Sequence, residues 1–122
     1  MTDYLVDNSV WARAILLDPG MVARLRRIER APADLFVTCP PQVLEFCHSA
    51  RGPQEHARYR ERISLGFPLE RAPDESVVLD IQSALWNAGL VRAAGPLDIL
   101  IAGYALVNNA TVLAADHDFD HI

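Results

Sequence analysis

Four acidic residues occupy positions from which they could act together: Asp7, Glu45, Asp98 and Asp116. Each stands just after a β-prone run or within the first turns of a following helical pattern. Acids brought close together repel one another, and burial adds a desolvation cost, so such a group persists when cations neutralise it. An all-oxygen set suits the hard ions Mg²⁺ or Mn²⁺ better than zinc. Those ions activate water and stabilise both oxygens of an in-line phosphoryl displacement, so hydrolysis of a phosphodiester is the chemistry the set suits. Taken singly, each acid also has an ordinary use, as a turn former after a strand or as a partner of the helix dipole. The joint pattern is what suggests a site. Glu45 (between Val43-Leu44 and Phe46) and Asp98 (between Leu97 and Ile99-Leu100-Ile101) have apolar neighbours on both sides, which argues against a generically solvated face.

Several residues are candidates to support this set. Asp118 and Asp120 share the terminal acidic stretch with Asp116, and Asp118 is the better placed to add a fifth oxygen. Ser9, two residues after Asp7, is either a helix cap or a hydroxyl that orients Asp7. Arg92, in a loop ahead of Asp98, is either solvated or turned toward a phosphate. His48, His56, His117 and His121 lack metal-ligand spacing on a shared helix face and read as surface or supporting residues. Trp11, Trp86 and the other aromatics read as core.

The elements that must position the acids follow from periodicity and punctuation. Tyr4-Leu5-Val6 is a short strand ending at Asp7, and Ser9 opens a helix that Asp18-Pro19-Gly20 interrupts. A second helix is expected from Met21 to Arg30. Leu35 to Cys39 is the next strand, and Pro40-Pro41 begins a helix through Val43, Leu44, Phe46 and Cys47. Gly52-Pro53 breaks the chain before a polar helix over 54–65. Phe67 to Glu70 is a weak strand whose proline restricts it to a sheet edge or a strand start. Asp74 to Ala88 is helical, with Val78, Ile81 and Leu85 at core spacing, and Gly89 stops it. An apolar helix from Pro96 to about Asn108, a turn at Asn108-Asn109, and a strand over Thr111 to Ala114 complete the pattern.

Strands alternating with helices predict an α/β fold: a three-layer sandwich with a central parallel β-sheet and helices on both faces. Right-handed crossovers collect the carboxyl ends of parallel strands on one edge, where ligands bind. The first and last strands can be neighbours there, which would bring Asp7 close to Asp116.

Composition restricts the partners. With 122 residues and 51% hydrophobic content, the chain suits one domain with its own core. No apolar run is long enough to span a membrane, and Met1-Thr2-Asp3-Tyr4 is unlike a signal peptide, so a cytoplasmic protein is expected. Cys39 and Cys47 read as two reduced core thiols. A net charge of −5 argues against passive adhesion to nucleic acid, yet all eleven basic residues are arginines. They cluster at Arg24, Arg26, Arg27 and Arg30, and again at Arg58, Arg60 and Arg62. With cations neutralising several carboxylates, the acidic total does not exclude an RNA substrate.

Four segments together resemble the PIN-domain family, most closely the VapC-type toxins of bacterial toxin–antitoxin pairs. They are Tyr4-Leu5-Val6-Asp7-Asn8-Ser9-Val10-Trp11, Pro41-Gln42-Val43-Leu44-Glu45, Gly95-Pro96-Leu97-Asp98-Ile99-Leu100-Ile101-Ala102, and Thr111-Val112-Leu113-Ala114-Ala115-Asp116-His117-Asp118-Phe119. They stand in the family's order at about its spacing. The resemblance implies a PIN-like domain over 1–122 with Asp7, Glu45, Asp98 and Asp116 as its catalytic and metal-holding acids, and Asp118 and Ser9 in support. It further implies Mg²⁺- or Mn²⁺-dependent endoribonuclease activity on structured RNA such as tRNA or rRNA, a homodimer, and a cognate VapB-type antitoxin whose C-terminal region blocks the site. The family's pattern continues past the Asp118-Phe119 segment into one more short strand, whereas this chain stops at Ile122. A sheet lacking that edge strand, with the acidic cluster intact, is therefore expected.

Three rivals compete with this reading. A phosphoacceptor receiver domain needs a lysine to meet the phosphoryl group, and the chain has none. A catalytically inactive PIN-like binding or assembly module would have little reason to keep all four acids. A small-molecule phosphatase separates from a nuclease by its substrate alone.

Overall fold

The computed structural model describes residues 3–6, 35–90 and 94–113. Four short β-prone stretches form one sheet: β1 (Asp3–Val6), β2 (Leu35–Thr38), β3 (Phe67–Pro68) and β4 (Thr111–Leu113), in the order β3-β2-β1-β4. Every pairing is parallel, with Leu5 opposite Val37 on one side and Val112 on the other. All four strands therefore end on the same edge. Pro68, which cannot donate to a ladder, lies in the outermost strand, as its chemistry requires. The expected adjacency of the first and last strands is observed, since Val6 pairs with Leu113. The chain steps outward from β1 to β2 to β3, then returns to the opposite side of β1. That reversal is the switch point at which open α/β sheets bind their ligands.

Four helices are found among the described residues: α1 (Pro40–His48), α2 (Pro53–Ile63), α3 (Glu75–Asn87) and α4 (Pro96–Val107). The helices expected over Ser9–Leu17 and Met21–Arg30 lie outside the described residues. Side chains alternate along a strand, so Leu5 and Val37 face one way while Phe36 and Thr38 face the other. The Leu5 side meets α4 through Ile101 and Ala105, with Cys39 completing the cluster. On α3 the expected stripe of Val78, Ile81 and Leu85 packs with Ile99 and Ala94. Gly103 permits this close approach, because a Cβ there would lie 3.0 Å from Val78 and 3.1 Å from Pro73. On the opposite side of the sheet, Val6, Phe36 and Thr38 share a cleft with Arg62 and Ile63 of α2. Helices thus flank both faces, as the alternating pattern predicts.

Two side-chain placements correct the sequence reading. Trp86 is 58% exposed and Phe67 is also exposed, so not all aromatics are core. Trp86 follows Leu85 directly, and one residue turns a helix by about 100° away from the buried stripe. Trp11 lies outside the described residues. Phe46 does belong to the core, with its ring centroid 5.0 Å from that of Tyr59.

Cys39 and Cys47 are buried free thiols, as expected. Burial pushes the Cys39 thiol up to about 11, well above its ordinary 9.0. The thiolate is the reactive form, so Cys39 should resist a disulfide reagent at pH 8 in the native protein and react once the protein is unfolded. Mass spectrometry of the labelled chain reads this directly. Stability from this group is full below pH 9, where both states hold the proton, and is lost as pH rises through 11.

Candidate active site

The carboxyl edge of the sheet is where two of the four acids can be located. Cys39, extended at φ −140° and ψ 155°, links β2 to α1. A residue before proline is driven to this conformation, and Pro40 and Pro41 suit the first turn, where N–H donors have no helical partner. Helix α1 therefore begins directly at the end of β2, and Glu45 falls in its second turn. At the other helix, Gly95 is the N-cap of α4, Pro96 its first residue and Asp98 its third. The Gly95 N–H donates to Asp98 Oδ2 at 3.3 Å. Asp98 thus performs the ordinary capping task expected of an acid in a first turn. Glycine has no side chain to return the bond.

Helices α1 and α4 pack against each other. Glu45 and Asp98 are both half-buried, and both are engaged by neighbours. Their neighbours in sequence are not what half-buries them. Leu44 is 68% exposed and Leu97 is also exposed, so apolar neighbours in sequence do not define a helix face. The buried positions of α1 are Pro41, Gln42, Phe46 and Cys47, and Glu45 borders that stripe one turn after Pro41.

Gln42 is the residue that sequence reasoning missed. It is only 2% exposed, and its Nε2 donates to the carbonyl of Val6 at 2.8 Å. Its Oε1 is buried with no hydrogen-bond partner among the described residues. The signal available was its helical spacing to Phe46, four residues on. Gln42 also lines a cleft of about 200 Å³ with Val6, Thr38, Gly66 and the exposed Arg62.

Asp7, Ser9, Arg92, Asp116 and Asp118 lie outside the described residues, as do His117 and His121. His48 and His56 are exposed, in keeping with a surface role. Among the described residues no group of three or more His, Cys, Asp or Glu side chains is placed to hold a metal ion.

Residues 4–122 match the model of the PIN domain family. The chain belongs to the PIN family. No curated protein matches it. A PIN domain is a nuclease fold, and the parallel sheet with helices on both faces is the architecture found here. No helix of this PIN domain, among the described residues, is long and apolar enough to cross a membrane. The donor chemistry fits a hard divalent cation. Two half-buried carboxylates, Glu45 and Asp98, stand on mutually packed helices, and their oxygens are donors of the hard kind. Softer metals find less to bind. Cys39, in this neighbourhood, is held protonated and packed in the core.

Proposed function

We propose that this PIN domain is a metal-dependent endoribonuclease and the toxin of a toxin–antitoxin pair. The observation that carries the reading is the switch point itself. Val6 and Leu113 are paired at the carboxyl edge, one residue before Asp7 and three before Asp116, while α1 and α4, packed together, bear Glu45 and Asp98. Asp7, Glu45, Asp98 and Asp116, with Asp118 in support, would hold Mg²⁺ or Mn²⁺. When bound, such a cation supplies Lewis-acid activation of water and of the scissile phosphate. The protein's own share is to hold the acids in place against their repulsion. The cap at Gly95 orients Asp98, and the Pro40-Pro41 start fixes the direction of α1. Ser9 would orient Asp7, and Arg92 would face a phosphate.

Resemblance to VapC-type toxins supports the finer assignments. These are a structured RNA substrate of the tRNA or rRNA class, a homodimer, a cytoplasmic setting and a VapB-type antitoxin that blocks the site. Purified protein incubated with RNA and with phosphomonoesters, each with Mn²⁺ or with EDTA, tests the activity. RNA cleavage that EDTA abolishes is expected, with phosphomonoesters untouched. Hydrolysis of the monoesters alone would make it a phosphatase, and no turnover in any arm would leave a binding module. A short neighbouring reading frame for a DNA-binding protein that suppresses the activity would establish the toxin role.

The arginines of α2 offer a separate prediction. Arg58, Arg60 and Arg62 are exposed, and Arg62 reaches the cleft beside Val6. Replacing all three with alanine should weaken RNA binding and lower the slope of log affinity against log salt by about 1 for each phosphate no longer neutralised. Binding titrations at several salt concentrations read the slope. An unchanged slope removes α2 from the RNA path. The same substitution at Arg24, Arg26 and Arg27, outside the described residues, provides the parallel test.

A further inference from the structure

We propose, on the nuclease reading above, that Gln42 is a positioning residue that ties the helix bearing Glu45 to the carboxyl end of β1 at Val6. The carbonyl that Gln42 holds belongs to Val6, the last residue of β1 and the one before Asp7 in sequence. Fixing the Val6 oxygen therefore fixes the carboxyl end of β1. The same side chain sits three residues before Glu45, on a helix whose neighbouring side chains, Phe46 and Cys47, are locked in the core. One hydrogen bond, spanning 36 positions in sequence, thus seats the helix that bears Glu45 on the end of β1.

Stability alone does not account for a glutamine here. Its amide is withdrawn from water with only one of its two ends paired among the described residues. A half-satisfied buried amide costs more than an apolar side chain of the same size. Methionine would fill the space and remove the orphaned oxygen, but it would leave the Val6 carbonyl without this donor, so the bond to Val6 is what the glutamine supplies. Catalysis needs such a bond because ligand geometry tolerates little error, and loss of partners that orient ligands weakens metal binding and activity.

The variant Gln42→Met, with Gln42→Leu in reserve should it fail to fold, tests the role. Thermal melting should shift by only a few degrees, because losing the bond to Val6 and removing the orphaned oxygen oppose each other. Mn²⁺ affinity by calorimetry and kcat for RNA cleavage should both fall by about tenfold or more, with KM for RNA unchanged. The carbonyl ¹³C shift of Val6 should change. Parent-like Mn²⁺ affinity and kcat in the variants would overturn the proposal, as would an unshifted Val6 carbonyl. A parent protein that neither binds Mn²⁺ nor cuts RNA would instead overturn the nuclease reading. The Val6 signal would still report whether the tie exists.

Discussion

Replacing Asp98 with asparagine should lower RNA cleavage by about a thousandfold while the protein stays folded. Asparagine keeps the shape of the side chain and one carbonyl oxygen, which can still accept from the Gly95 N–H now bonded to Oδ2. The capping contribution survives in part. What the change removes from folding is the attraction between a carboxylate and the positive end of α4, worth about 0.3–1 kcal/mol. A loss of that size moves the melting temperature by only a few degrees for a domain of this length. Function loses far more, because a neutral amide oxygen cannot neutralise a hard cation as a carboxylate does. Glu45→Gln should behave in the same way, and so should Asp7→Asn. Single-turnover cleavage with Mn²⁺, read beside a circular dichroism melt, separates the two roles of Asp98. Cleavage at the parent rate would show that Asp98 is a cap and nothing more.

The split between what could be read from sequence and what could not follows the range of the interactions. Local signals carried far. Pro40-Pro41 and Pro96 mark helix starts because a proline lacks only a donor that would be orphaned there. Pro68 marks an edge strand, and the 78, 81, 85 spacing marks the buried side of α3. Those cues, with the parallel topology that alternating elements impose, are enough to put Glu45 and Asp98 near one sheet edge from sequence alone. The exposure of Trp86, expected in the core, and the burial of Gln42 share a reason. Side-chain direction on a helix depends on which neighbour the helix docks against, and α1 docks against partners far away in the chain. Leu44 and Glu45 look equally enclosed as letters, yet one points to solvent. Gln42 is buried because a carbonyl 36 residues earlier accepts its proton, a fact no window of sequence contains.

The same dependence of the site on distant packing makes Ile101→Ala the change expected to cost the fold most. Ile101 is fully buried, and it meets Leu5, Val37 and Cys39 where α4 lies on the sheet. Its neighbour one turn on is Ala105, already too small to expand into the space. Truncation should therefore leave a cavity and cost about 2–5 kcal/mol, a large part of the roughly 5–15 kcal/mol that keeps a domain folded. Leu106→Ala, at an exposed position of the same helix, should cost within about 0.5 kcal/mol and controls for helix propensity. Urea midpoints compare the two. Asp98 precedes Ile101 by three residues, about 4.5 Å along the helix. A looser seat for α4 should thus shift Asp98 relative to the sheet, and cleavage by the folded fraction of Ile101→Ala should fall as well. If instead the two variants unfold at the same urea concentration, α4 is not the element that fixes Asp98 against the sheet.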